Sequence, residues 1–184
     1  MNLHFTAFPV LHTARLLLRQ PVPEDAARMH KLRADPAVNA YIGRANSTGE
    51  EDTLRHINSV NASVENRESL YWVIELQGKA GLIGTICYWN FDIASDTVEI
   101  GYEMLPEFQC RGLMREAVLR VIEYGFNDVQ VKTITAFPSA DNTRSVALLE
   151  KLHFTLDIGA FAHTHDNVAN LLTYTLSYTF SRTQ

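Results

Sequence analysis

Between Leu70 and Leu152 the spacing of apolar residues changes period once, and that change limits the folds open to the chain. Three runs rich in β-branched and aromatic residues come first: LYWVIEL, LIGTICYWNF and DTVEIGYEML. The short connections QGKAG and DIASD join them, as in an antiparallel meander. From Arg111 to Asn127, apolar residues then fall at 113, 114, 117, 118, 121, 122 and 126, which is the spacing of a helix with one buried face. KTITAF reads as a further strand and NTRSVALLEKL as a further helix. A crossover of this kind, beginning at Thr97, is right-handed and sets two strands parallel. The pattern predicts an α+β fold: a mixed, mostly antiparallel sheet with helices on its faces.

The flanks extend the pattern. RLLLRQPV is β-like, and PEDAARMHKLRADP spaces Ala26, Met29 and Leu32 as a short helix that Pro36 closes. Ser47 stands three residues before Glu50, the spacing of a capping box, and Leu54, Ile57, Val60 and Val64 follow as one stripe. Glu116 and Arg120 are placed to form an exposed i,i+4 pair. FTLDIGAFA suggests a strand. So does the alternation of Leu172, Tyr174, Leu176, Tyr178 and Phe180 with polar residues, which also leaves room for pairing across a two-fold axis in a homodimer.

The 184 residues, 46% apolar and 20% charged, suit a single globular domain spanning 1–184. A net charge of −5 argues against a general nucleic-acid binder. Cys87 and Cys110 belong to no CxxC pair, His163 and His165 lack a third ligand, and no metal site is expected. No apolar run is long enough to span a bilayer, and the first residues do not read as a secretion signal. The expected setting is cytoplasmic, without membrane attachment.

The stretch LPEFQCRGLMREAV places Arg111 and Arg115 at a predicted helix start. Unpaired N–H groups and the helix dipole already make that end positive. A bound anion makes the arrangement favourable, and Gly112 lets backbone approach it without a Cβ in the way. No Walker motif or GxGxxG is present. QCRGLM resembles the Q/R-x-x-G-x-G/A signature of the GNAT superfamily of acetyl-CoA-dependent N-acetyltransferases. EIGYEMLPEFQCRGLMREAV, TARLLLRQPVPEDAARM and PSADNTRSVALLEKLHF are similar to three ordered segments of its RimJ/RimL-like branch, which acetylates ribosomal-protein N-termini.

The resemblance implies a GNAT fold whose two parallel central strands splay apart. It places the pyrophosphate of acetyl-CoA on the amides of Gln109, Cys110, Arg111, Gly112, Leu113 and Met114, with Arg111 and Arg115 pairing to it. The thioester carbonyl would meet strand-end amides near Met104 and Leu105, and Asn142 would hold the pantetheine arm. Cys110 stands where the family has glycine, which a negative φ would accommodate. Met114 replaces the last small residue, and His153 replaces a helix-ending glycine. Leu149 occupies the place of a tyrosine that protonates the leaving thiolate in many members.

Ser145, three residues after Asn142, is the substitute for that tyrosine. Glu99 and Asp157 are the candidate bases. Glu103 shares a strand face with Glu99 but lies about 13 Å from it at roughly 3.3 Å per residue, too far to form a catalytic pair. An α-amine with a pKa of about 7.7–8.0 needs only a modest base. The expected activity is direct acetyl transfer to a primary amine, foremost a protein N-terminus. The alternatives are a small-molecule amine acceptor, or an idle acyl-CoA-binding module that has lost its proton-transfer groups. The acceptor groove is expected from Tyr41–Glu65, the strand-joining loops and His163–Asn170.

Overall fold

The computed structural model describes residues 1–159 and 168–178. Among the described residues, eight strands form one sheet: β1 (Leu11–His12), β2 (Leu16–Arg19), β3 (Leu70–Leu76), β4 (Lys79–Asp92), β5 (Thr97–Met104), β6 (Thr133–Ala136), β7 (Thr155–Leu156) and β8 (Tyr174–Ser177). Their order is β1-β2-β3-β4-β5-β6-β8-β7, and only the central pair β5–β6 is parallel. The helices are α1 (Ala26–Ala34), α2 (Pro36–Asn39), α3 (Glu50–Glu65), α4 (Leu113–Tyr124) and α5 (Thr143–Lys151). The α+β assignment and the βαβ crossover therefore hold.

Alternation along the strands sends side chains to two cores. Trp72, Ile86, Tyr88 and Ile100 pack with Leu113, Ala117, Val118 and Val121 of α4. Tyr71, Val73 and Leu82 pack with Met29 and Leu32 of α1 and Ile57 and Val64 of α3. Each of these side chains is nearly fully buried, which is worth about 1.5–3 kcal/mol per large apolar residue before the entropy of ordering is counted. The Tyr88 side chain of β4 reaches α4, where its hydroxyl donates to the Val121 carbonyl at 2.9 Å.

Several local expectations need correction. Ser47 does not cap α3. Gly49 is its N-cap residue, and the Ser47 hydroxyl lies 2.9 Å from His30 Nδ1 and donates to the Gly49 carbonyl. Pro36 opens α2 rather than simply closing α1, because Asp35 turns extended and its carboxylate accepts from the amides of Ala37 and Val38. Glu116 does not pair with Arg120. It accepts from Thr13 and Arg15 of the first hairpin, while Arg120 reaches Glu123. The helix expected to reach Asn127 ends as a π-turn over Gly125–Val129, closed by Gln130 in the left-handed region. The strand in FTLDIGAFA is described only at Thr155–Leu156. The final strand is described at Tyr174–Ser177, and Phe180, His163 and His165 lie outside the described residues. Among the described residues no helix is long and apolar enough to cross a membrane, and no cluster of His, Cys, Asp or Glu could hold a metal.

The feature that positions the site is a register limit. β5 pairs with β6 only at Thr97–Thr133, Val98–Ile134 and Glu99–Thr135. Past Glu99, β5 stays on β4 through Met104 and leaves β6 behind. The Leu105 amide donates to the Ile83 carbonyl at 2.9 Å, which makes that residue pair a hydrogen-bonded one. By antiparallel alternation, Ile100, Tyr102 and Met104 therefore turn their backbone groups away from β4 and into the opening.

Candidate active site

Two cavities meet in the opening. One, about 490 Å³, runs past Met104, Phe108, Gln109, Leu113 and Leu148. The other, about 430 Å³, lies over Tyr71, Cys87, Trp89 and Glu99. Tyr41, Ile42, Tyr102, Glu103, Asn142 and Ser145 line both, so a long ligand in the first can present its end to a ligand in the second.

The first cavity is built around the start of α4. A short 3₁₀ turn at Pro106–Phe108 ends β5, and the Gln109 side chain fixes the loop. It donates to the Met104 carbonyl at 2.8 Å and accepts from Arg144 at 2.9 Å. Cys110 has φ 59° and Gly112 has φ 73°, both left-handed. At Gly112 a Cβ would meet only the Arg15 guanidinium, at 3.6 Å, so the conformation and not the space calls for glycine. The helical ladder of α4 opens with the Glu116 amide on the Gly112 carbonyl, and Gly112 offers no side-chain cap. The amides of Leu113, Met114 and Arg115 precede that bond and lie at the positive end of the helix, where N–H groups of this kind can hold an anion. Arg115, Arg144 and Lys151 stand on the same cavity wall. Apolar walls, bare amides and this cluster of cations fit a diphosphate with an extended arm.

A family model described as the acetyltransferase (GNAT) domain matches residues 15–155. The chain is a GNAT N-acetyltransferase. The acetyltransferase is 33% identical over 147 residues to the uncharacterized N-acetyltransferase YoaA of Bacillus subtilis (strain 168), covering 80% of this chain and 83% of that one. Among solved structures, a GNAT-family acetyltransferase from Bacillus anthracis is 25% identical with a TM-score of 0.76, covering 92% of this chain and 98% of that one. RimL, the ribosomal L7/L12 α-N-protein acetyltransferase, solved in complex with coenzyme A, shares the fold at 18% identity and a TM-score of 0.75 over 92% of this chain and 98% of its own. Homologues of this fold bind acetyl-CoA or CoA.

Most of the expected cofactor-side residues come together in the acetyltransferase. Met104, Gln109, Cys110, Gly112, Leu113, Met114, Arg115 and Asn142 all line the first cavity. Leu105 does not. Its amide is spent on Ile83 and its side chain is 1% exposed, so it offers no donor to a thioester. Arg111 is also off the lining. Its guanidinium lies 5.8 Å from the Phe108 ring centroid, and its carbonyl accepts from Arg15. The expected negative φ at Cys110 is corrected to a left-handed one, which explains why glycine is the ordinary choice there. His153 adopts φ 65°, the left-handed helix end that its position requires. Leu149 is fully buried in the core and reaches no proton.

The acceptor side is assembled by sheet register. Glu99, Gly101 and Glu103 sit opposite Trp89, Cys87 and Thr85. None of these carboxylates faces open solvent: Glu99 is 6% exposed, and the Glu103 side chain is 7% exposed. Asn90, at a bulge with φ 48°, donates to Glu99 at 2.9 Å. Glu103 accepts from both terminal nitrogens of Arg44, at 3.0 and 2.6 Å, and from Thr85. Asp157 is exposed, lines neither cavity, and closes its own turn by accepting from the Gly159 amide at 3.0 Å.

Asn142 is the N-cap of α5, its side chain accepting from the Ser145 amide at 3.2 Å. Sequence reasoning missed Tyr102, whose hydroxyl lies 2.9 Å from Ser145 Oγ on the wall common to both cavities. Burial pushes the Tyr102 phenol up to about 12, against a lowering by Ser145, so it holds its proton at neutral pH. Burial likewise pushes the Cys87 thiol up to about 12, which removes it as a nucleophile. Arg144 and Lys151 were also missed, although a spacing of seven puts them on one face of α5.

Proposed function

We propose that the protein transfers the acetyl group of acetyl-CoA directly to a primary α-amine, with protein N-termini as the first acceptors to test. The observation that carries this reading is the junction of the two cavities at Tyr102 and Ser145. The substrate supplies the activated acyl carbon, and the amides of Tyr102 and Met104 face the opening where its carbonyl would lie. Glu99, on the acceptor wall, takes the proton released by the attacking amine. The Tyr102–Ser145 hydroxyl pair returns a proton to the departing sulfur. Ser145 thus stands in for the tyrosine that Leu149 replaces, with Tyr102 behind it. Asp157 has no part in this scheme, because it lines neither cavity. The buried thiol of Cys87 and the placement of exposed Cys110 on the cofactor side give no route to an acyl-enzyme. The resemblance to RimL supports an N-terminal α-amine, whose pKa suits a single weak base.

Release of free CoA thiol from acetyl-CoA, measured across peptides with varied first residues and a set of small amines, tests the proposal. Amine-dependent release, with the acetyl group found on the α-amine by mass spectrometry, is expected. Saturable CoA binding without turnover of any amine would overturn it in favour of an idle acyl-CoA-binding module.

A further inference from the structure

The acceptor-side cavity carries a guanidinium that hydrogen-bonds to no carboxylate of the described residues. Arg33, near the end of α1, lines that cavity. Its Nη1 lies 3.2 Å from His56 Nε2, and its Nε is buried with no hydrogen-bond partner. The neighbouring guanidinium differs: Arg44 grips Glu103 with two nitrogens, and Thr85 takes a further position on the same carboxylate. Glu103 is taken up by Arg44 and Thr85, and the Arg33 charge is left without a carboxylate in hydrogen-bond contact. His56 does not offset it. Burial, then Arg33 and Arg44, hold its imidazole down at about 4, so the ring is neutral and accepts from Arg33. Tyr71, edge-on to His56 at 5.7 Å, is kept neutral by burial. Asp52 lies at the exposed start of α3, 3.5 Å from Arg55.

A guanidinium held through Nη1 by a neutral ring leaves its Nε–Nη2 edge as the fork. That edge matches the two oxygens of a carboxylate or phosphate, which a single point charge does not. A buried charged donor without a partner is costly, and a ligand that supplies an acceptor removes that cost. The segment Tyr41–Arg44 lines the same cavity and has neither helix nor strand.

We infer that the acceptor carries an anionic group close to its amine and that the Nε–Nη2 edge of Arg33 holds it. This rests on the acetyltransferase reading above and narrows its acceptor. Arg33 is then a residue of specificity: it binds the acceptor's anion, while Glu99 on the same cavity wall faces its amine. Three sources share the required chemistry: the α-carboxylate of a free amino acid, the phosphate of a phosphorylated amine, and an acidic side chain in the first residues of a peptide.

Acceptor pairs that differ only in this charge distinguish the sources: an amino acid against its carboxamide, ethanolamine phosphate against ethanolamine, and a peptide beginning Ser-Asp against one beginning Ser-Asn. The anionic member of at least one pair should show a kcat/KM about ten-fold or more above its neutral partner. Arg33→Met should collapse that ratio to within about two-fold, and Arg33→Lys should keep part of it. Calorimetric titration of the same pair into CoA-saturated protein should give the same preference without turnover. Equal use of neutral and anionic acceptors by the wild type, or a preference that survives Arg33→Met, would overturn the inference and leave the acetyltransferase reading standing. Failure of every amine to release CoA would sink both. The wild-type comparison decides the matter even if the Arg33 variants fold poorly.

Discussion

The cofactor-side cavity takes most of its lining from two short stretches, 102–115 and 142–151, while the acceptor-side cavity gathers residues scattered from Arg33 to Leu171. The first works largely through backbone: amides before the first bond of α4, left-handed turns at Cys110 and Gly112, and a strand edge freed by the end of β5–β6 pairing. The second works through side chains that β4 and β5 place side by side and that α1 and α3 cover. A backbone seat can stay the same while acceptors change. A side-chain wall changes with each substitution. If this division is right, a variant at one end should move one binding constant and spare the other.

The largest effect is expected at Glu99. Glu99→Gln keeps the size and the contact with Asn90 but cannot take a proton, so kcat should fall by about 10²–10³. The Kd for acetyl-CoA should hold within about two-fold, because Glu99 does not line the cofactor cavity. A variant that loses acetyl-CoA binding along with kcat would break the division between the two ends.

Next comes the part of the acid limb of stability that the acceptor end contributes. His56 has its value held at about 4, below the ordinary 6.5, mainly by burial and then by Arg33 and Arg44. The unfolded chain therefore takes up the proton first as pH falls. The stability contributed by a neutral His56 is whole above about pH 6.5 and is lost progressively toward pH 4, by up to roughly 3 kcal/mol. Urea unfolding between pH 7.5 and 4.5 should show that decline, and His56→Gln should flatten it. An unchanged slope in the variant would show that the imidazole is not the group that titrates.

Gly112 gives the corresponding test of the cofactor end. Its φ of 73° costs other residues about 1–2 kcal/mol, so Gly112→Val should weaken CoA about ten-fold or more by shifting the amides that follow. Gly112→Asn, which tolerates the left-handed region, should recover most of the affinity. Failure of asparagine to recover it would mean that a side chain obstructs the ligand, although only Arg15 stands near that position.

How much the sequence disclosed follows the same line. The meander, the crossover and the start of α4 are local patterns of period two or 3.6, with one glycine marking a left-handed turn, and they read directly. The Q-x-x-G spacing at Gln109–Gly112 and the N-cap at Asn142 are also local, so the cofactor side was largely foreseen. Tyr102 looked like one more strand aromatic, because only the fold brings it 2.9 Å from Ser145, forty-three residues on. Arg33 drew no notice within a short helix, and Glu103 read as a strand carboxylate. Their environments depend on the approach of Arg44 and His56, which no spacing announces. Leu105 failed for a different reason: the alternation that frees Met104 ties its neighbour to β4.

A smaller effect is expected at the shared wall. Tyr102→Phe removes the hydroxyl beside Ser145 and should lower kcat about ten-fold, with both substrate affinities nearly kept. Ser145→Ala should cost at least as much. Because the two hydroxyls act as one unit, the double variant should be no worse than Ser145→Ala alone, whereas additive losses would separate their roles.

The smallest effect tests the charged rim of the cofactor cavity. Lys151 ends α5 on that wall, and it makes no ion pair among the described residues. An exposed ammonium near a phosphate is worth no more than about 1 kcal/mol and is screened by salt. Lys151→Gln should therefore raise the Kd for CoA about three- to five-fold at low ionic strength, with the difference nearly gone at 0.5 M salt. Dephospho-CoA tells which phosphate Lys151 meets, since loss of the 3′-phosphate should abolish the effect if that group is the partner. A mutant effect that persists at high salt would mean that Lys151 acts through packing of its stem against the cavity rather than through charge. The anion affinity of the cofactor end would then rest on the backbone amides with Arg115 and Arg144.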